Sequence, residues 1–335
     1  MKLKNKKILL IGGCGFIGHN LALHFKKIGA DVAVIDSLQV NNIGEFSPLN
    51  SSETSKYLSF LFKRIDLLRK HKVSICIQDA RDYYLLTKQI SSFKPDVVIH
   101  LSAVAHAAKA NKDPFSTFDH NMRTLENSLD ICRDRNIHFI FFSSSMVYGQ
   151  FNDKVMSEET NCNPLGIYGA LKFSGEKLVI AYNQVFGLNY TIVRPSALYG
   201  ERCVSRRVGQ IFIENAIQSK DLVIEGDGQD SLDFTYIDDL LQGIELIIIK
   251  RKSINQTFNL TYGKACKIKT LAETVKNYFP NVKIKFKKRD KLIPLRGTLD
   301  ISKAVKLLGY KPNYDAKKGF DKYIKWYKEL NEFKK

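Results

Sequence analysis

Five runs of this chain, "KKILLIGG", "DVAVIDS", "VSICIQD", "DVVIHLS" and "HFIFFSSS", are apolar without regular alternation. A strand with one wet face alternates with period two, so unbroken apolar runs mark strands covered on both faces. Between them stand "FIGHNLALHFKKIG", "RDYYLLTKQISSF" and "FDHNMRTLENSLDICRDRN", with apolar residues at helical spacing and charged outer faces. Strands alternating with helices need right-handed crossovers, so the pattern predicts an α/β fold built on a doubly wound parallel sheet. The stretch from Gln39 to Lys72 reads as an elaborated crossover and carries no recognisable chemistry.

Beyond Tyr190 the pattern changes to "YTIVRPSALYG", a basic helix, "LDFTYIDDLLQGIELIIIK" and a mixed region. That suits a smaller, discontinuous C-terminal substrate lobe. The expected division is a sheet domain of residues 1–180 plus about 232–260, and a lobe of 181–231 and 261–335, with the site in the cleft between them.

Several function classes are disfavoured at once. A composition of 44% hydrophobic and 26% charged residues is that of an ordinary globular protein, and no apolar run approaches the length of a membrane helix. The start, "MKLKNKKILLIGGCGFIG", runs into glycines instead of a cleavage site, so it reads as a first strand and not a signal peptide. The cysteines Cys14, Cys76, Cys132, Cys162, Cys203 and Cys266 are scattered, without a C-x-x-C pair. That argues against a disulfide framework or a zinc site and for a reducing, cytoplasmic setting. The net charge of +18 is spread along the chain, which suits a solvated surface better than a nucleic-acid partner.

The first chemical signal is "IGGCGFIGHN", where Gly12, Gly15 and Gly18 have the spacing G-x-x-G-x-x-G between a strand and a helix. Gly12 permits the tight turn, Gly15 lets backbone approach a diphosphate, and Gly18 allows close helix–sheet contact. Phe16 and Ile17 open the helix whose N-terminus offers unpaired N–H groups to that anion. Asp36 ends the second strand, where an acid hydrogen-bonds the adenosine ribose hydroxyls. No Arg or Lys follows in "SLQVNN" to hold a 2′-phosphate, so the expected cofactor is NAD and not NADP.

Together with "QDARD", "VIHLSAVAH", "FFSSSMVYG", "IYGALK" and "IVRPSALYG", this resembles the extended short-chain dehydrogenase/reductase family, specifically its nucleotide-sugar epimerases and dehydratases. The resemblance runs from about residue 6 to 310 and implies a Rossmann-type fold. It implies that Asp79 and Ala80 receive the adenine and that Leu101 and Ala103 lie along the cofactor. It also implies a homodimer, in which the helix preceding Tyr168 and the helix containing it form a four-helix interface.

A Tyr–Lys pair four residues apart is a common accident, but Tyr168 and Lys172 follow a serine-rich strand end within this framework. A neighbouring ammonium and a cationic nicotinamide ring would favour the phenolate and ready it to take a proton from a sugar hydroxyl. By resemblance, Lys172 also bonds the nicotinamide ribose, and Ser144 bonds the reacting oxygen. Ser143 and Ser145 are the near alternatives to Ser144. Family dehydratases and decarboxylases resemble one another in a Glu just before "VYG", whereas Met146 here has no proton to exchange.

Epimerisation is therefore expected: oxidation to a keto-sugar and return of hydride to its opposite face. The resemblance implies C4 of a UDP-hexose or UDP-hexuronic acid, with the residues themselves leaving base, sugar and carbon open. A dehydratase, decarboxylase or reductase on the same scaffold, or a non-enzymatic NAD-sensing protein, are the alternatives. Ala197 and Leu232 stand where the family carries a phosphate-binding Asn and Arg. Arg206, Arg207 and Arg296 are nominated to replace them, with Ser144 and Ser145 also facing the substrate. His19, His100 and His106 lie near the cofactor segments, but at no metal-binding spacing.

Overall fold

The computed structural model of the chain describes residues 3–46, 52–151, 155–289 and 294–330. Strands β1 (Lys7–Ile11), β2 (Asp31–Asp36), β3 (Ser74–Ile77), β4 (Val97–His100) and β5 (His138–Phe142) coincide with the five apolar runs. With Asn189–Arg194 and Gln256–Asn259 they form a parallel sheet of seven, ordered Gln256–Asn259, Asn189–Arg194, β5, β4, β1, β2, β3. Two apolar layers cover it, one on each face. The run "VSICI" departs from the buried pattern. As β3 it closes the sheet's outer edge, and Ile77 is 70% exposed.

Asn189–Arg194 pairs with β5 on one side and with Gln256–Asn259 on the other. The expected boundary at residue 180 had assigned this strand to the smaller lobe. It belongs to the sheet instead, because the helix before it (Gly166–Phe186) is a crossover that returns the chain parallel to β5. The C-terminal region carries the strand pair Leu222–Glu225 and Ile284–Lys287, with helices Val208–Ile217, Ile268–Tyr278 and Ala316–Glu329.

The crossover after β2 contains helix Ser52–Lys70, which bridges the sheet to that region. Tyr57 donates to Glu214 at 2.5 Å, and Phe60 lies 5.2 Å from the Trp326 ring. Helix α1 (Phe16–Lys27) follows the glycine turn and lies against it closely. A Cβ on Gly18 would meet the Gly13 backbone at 2.6–2.7 Å, which explains the third glycine. Gly187 closes its helix at φ +72°, with nothing near its missing Cβ.

Steric and torsional demands should separate in chemical denaturation. Gly187→Ala is expected to cost about 1 kcal/mol, the penalty of a left-handed non-glycine residue. Gly18→Ala should cost more, on the order of 2–3 kcal/mol, because backbone must move. Equal losses in urea midpoint would refute the close-contact account of Gly18.

Candidate active site

The carboxyl ends of the strands open into a cavity of about 970 Å³. Its mouth lies across β1 and β4, where the strand order reverses, the usual ligand position in such sheets. Gly12, Gly15, Phe16, Ile17, Gly18, Asp36, Asp79, Ala80, Leu101 and Ala103 all line it. So do Ser144, Ser145, Tyr168, Lys172, Arg207 and Arg296.

Gly12 has φ +83°, and a Cβ there would meet the Ser102 nitrogen at 2.8 Å, so both torsion and space demand glycine. Gly15 precedes α1 as its N-cap. The Asp36 carboxylate accepts from the N–H groups of Cys14 and Leu38, each at 2.8 Å, which fixes it beside the glycine turn. Burial nevertheless pushes its pKa above the ordinary carboxylate value. Asp79 is clasped by Arg81, whose Nη2 lies 2.6 Å away. Burial pushes Asp79 up, but these bonds outweigh it and hold the carboxyl below its ordinary value.

At the other end, Tyr168 and Lys172 stand on one face of Gly166–Phe186, and both are buried. Ser144 lines the cavity with Tyr168, and its hydroxyl accepts from the Met146 N–H at 3.2 Å. Lys172 does not touch the phenol: its Nζ donates to the Phe142 carbonyl at 2.7 Å and lies 5.0 Å from the Phe141 ring. Burial raises the Tyr168 pKa, and the groups opposing that rise are Arg207 and then Ser144. Lys172, expected to favour the phenolate, is held one helical turn from Tyr168 by the Phe142 carbonyl. Lys172 is itself pulled down to about 8 by burial, against the pull of Glu176.

The three serines take separate partners. Ser143 donates to Glu176, and Ser145 is reached by Nη2 of Arg296. Arg296 also stands over the Phe151 ring at 4.8 Å. Burial and the neighbouring Arg207 pull Arg296 down to about 10. Arg206 does not line the cavity; its guanidinium is half exposed and turns to Glu214 at 3.9 Å. Ala197 and Leu232, the two departures from the family pattern, do line it.

His19 accepts from Arg202 Nε at 3.0 Å and bonds the Gly15 carbonyl through Nδ1, so it braces the glycine turn. His100 is fully buried against Thr124, and His106 lines the cavity. Among the described residues no three His, Cys, Asp or Glu side chains come together as a metal site. Arg64 also reaches the cavity wall, from the crossover helix in which the sequence pattern showed no chemistry.

The NAD-dependent epimerase/dehydratase family profile matches residues 8–261, which contain the glycine turn, Asp36, Ser144, Tyr168 and Lys172. The chain belongs to this family. Its cofactor is NAD. An uncharacterised UDP-glucose epimerase of Bacillus subtilis is 31% identical, over 97% of this chain and 98% of its own. UDP-glucuronate 4-epimerase 1 of Arabidopsis thaliana is 29% identical, over 96% of this chain and 76% of its own. Among solved structures, the UDP-glucuronic acid 4-epimerase of Bacillus cereus, in complex with UDP-glucuronic acid and NAD, superposes with a TM-score of 0.86. It is 27% identical and covers 96% of this chain and 99% of its own.

Within this family site, Ala197 has φ +39°, a left-handed backbone that alanine adopts at a cost. Ala197→Gly should raise stability by about 1 kcal/mol in a denaturant titration. An unchanged or lower midpoint would mean the strain is absent.

Proposed function

We propose that this cavity inverts C4 of a UDP-hexuronic acid or UDP-hexose, with Tyr168 as its acid–base group. The chain is an NAD-dependent nucleotide-sugar epimerase. The observation that carries the assignment is that Ser144, Tyr168 and Met146 line one cavity: Ser144 acts on the phenol, and the position after Ser145 is a thioether without a proton to exchange. Water elimination or decarboxylation would call for a second proton-transfer group there, and this reading disfavours both.

The glycine turn and the N-terminus of α1 would take the cofactor diphosphate, Asp36 the adenosine ribose, and Asp79 with Ala80 the adenine. Leu101 and Ala103 would flank it, and Lys172 would bond the nicotinamide ribose while holding the Phe142 carbonyl. NAD, when bound, supplies a hydride acceptor that the cycle regenerates. Tyr168 removes the sugar hydroxyl proton and later returns it, and Ser144 holds the reacting oxygen in line with the phenol. Arg207 stabilises the phenolate.

The sugar end of the cavity favours an anion. Its only acidic lining side chains among the described residues, Asp36 and Asp79, belong to the adenosine end, whereas Arg207 and Arg296 face the Tyr168 end. Arg296 beside Ser145 suits a sugar carboxylate, so UDP-hexuronic acid is the preferred substrate. The relatives named for UDP-glucuronate support this reading.

Homodimerisation through Gly166–Phe186 and the helix Thr124–Cys132 is part of the proposal. The exposed apolar side chains Val185, Phe186, Phe115 and Phe118 near these helices are suited to such an interface. No helix among the described residues is long and apolar enough to cross a membrane, and free cysteines suit a reducing, cytoplasmic setting.

Incubating the purified protein with UDP-glucuronic acid, without added cofactor, should yield an isomer of unchanged mass by NMR and mass spectrometry. Loss of water or carbon dioxide would overturn the reading of Met146. Tyr168→Phe should lower kcat by about 10²–10⁴-fold while NAD stays bound. Arg296→Met should raise KM for UDP-glucuronic acid by about 10-fold or more and leave that for UDP-glucose unchanged. Equal effects on both sugars would remove the carboxylate assignment. Because Arg207 lowers the Tyr168 pKa, Arg207→Met should move the rising limb of the kcat/KM–pH profile to higher pH. A limb that stays in place would show that Arg207 does not act on the phenol.

A further inference from the structure

The crossover helix Ser52–Lys70 delivers one charged residue to the cavity wall. Arg64 is 1% exposed and stands there with Gly12, Gly15 and Asp36. Its Nε and Nη2 donate to the backbone carbonyl of Arg202, at 3.1 and 2.5 Å, while Nη1 has no hydrogen-bond partner. Arg202 presents that carbonyl from a left-handed backbone, φ +65°, and its own side chain is held by His19 and Asn20.

This is a guanidinium buried against a neutral dipole. Among the described residues no carboxylate forms an ion pair with it. Asp36 acts on it only through space, and both Asp36 oxygens already accept backbone N–H groups. A buried charge without a paired anion is costly, and a donor such as Nη1 has nothing to give its hydrogen to. Burial pulls Arg64 down to about 10, with Arg202 acting in the same direction and Cys203 and Asp36 against it.

We propose that Arg64 is the built-in counter-charge for the cofactor, its Nη1 hydrogen-bonding the phosphate on the adenosine side while Asp36 takes the adenosine ribose. The inference rests on the NAD reading of the site. The other lining cations, Lys172, Arg207 and Arg296, serve the Tyr168 end, and Arg64 stands at the glycine turn. The first turn of α1 is Phe16, Ile17, Gly18 and His19; burial, Arg64 and Arg202 hold the His19 pKa well below its ordinary value, so the helix N-terminus offers partial charge only. Arg64 supplies the formal one. A ribose hydroxyl would leave the charge uncompensated, whereas a phosphate oxygen satisfies both the charge and the orphaned donor.

The test uses holoenzyme and measures how much AMP, or adenosine, displaces half of the resident NAD. That potency ratio does not depend on how tightly NAD itself is held. Wild type should favour AMP over adenosine by about 10–100-fold, the worth of one charge-assisted hydrogen bond. Arg64→Gln keeps donors for the Arg202 carbonyl without the charge; it should lower the ratio by about 10-fold, to what the glycine turn alone provides, and lower the NAD retained on purification. Arg64→Lys should restore part of the ratio, and Arg64→Met is read as Arg64→Gln is.

A ratio unchanged in Arg64→Gln overturns the proposal, and so does a fall in NAD retention with the ratio intact, which would make Arg64 only a brace for the Arg202 loop. Wild type purified without NAD, and unable to take it up, would instead refute the cofactor reading itself. If none of the neutral variants folds, the wild-type ratio decides through salt: it must shrink as ionic strength rises, and a salt-independent ratio overturns the assignment.

Discussion

One buried ion pair ties together every part of this protein that meets at the reacting end of the cavity. Glu176 follows Tyr168 and Lys172 at intervals of four on the same helix, so the three share one face. Its carboxylate takes Arg194 in a forked pair, at 2.9 and 2.6 Å, and both side chains are almost wholly buried. Arg194 ends the strand Asn189–Arg194, so the pair pins the Tyr168 helix to the sheet. Ser143 donates to the same carboxylate, which draws in the end of β5. Arg194 also donates to Tyr148, Tyr148 to Asn259, and Asn259 to the carbonyls of Met156 and Asp300. Removing one partner of such a pair leaves a bare charge in the core, at a cost on the order of 3–5 kcal/mol.

The fold then divides the cavity electrically. Strand ends β2 and β3 bring acids to one end, where Asp36 and Asp79 are held by backbone N–H groups and by Arg81. The Tyr168 helix and the segment before the strand Thr298–Leu299 bring cations to the other end, where Lys172 and Arg296 are stripped of water and lose basicity. Neutral tyrosine sits among them, raised by the same burial. A phenol in that position is poised to give or take a proton only when anionic and cationic ligands complete the field around it. The helix Ser52–Lys70 links the cavity wall to the C-terminal region, because it contacts Glu214 through Tyr57 and lines the cavity through Arg64.

How much of this was legible follows the range of the contacts. The five strands could be read because burial on both faces leaves a local trace in composition. Gly12 and Gly18 could be read because a tight turn and a close helix need glycine within seven residues of each other. Tyr168 and Lys172 could be paired because helical geometry sets them one turn apart. Arg206 misled for the opposite reason: the three nominated arginines look alike in sequence, and only side-chain direction distinguishes the one facing Glu214 from those lining the cavity. The strand Asn189–Arg194 was assigned to the wrong lobe because its neighbours in the sheet, β5 and Gln256–Asn259, are remote in the chain.

Sequence alone thus determined five strands of the sheet, the glycine turn, the acid at the end of β2 and the Tyr–Lys pair, all of them consequences of spacing along one strand or one helix turn. Tertiary structure decided which groups act on those residues. Arg207 and not Lys172 lowers the Tyr168 pKa, Arg296 and not Arg206 reaches Ser145, and Arg64 arrives at the cavity wall with one hydrogen-bond donor unused. The physical reason is common to all three. A guanidinium's effect depends on distance, burial and the direction of its donors, and these are properties of packed neighbours far apart in the chain.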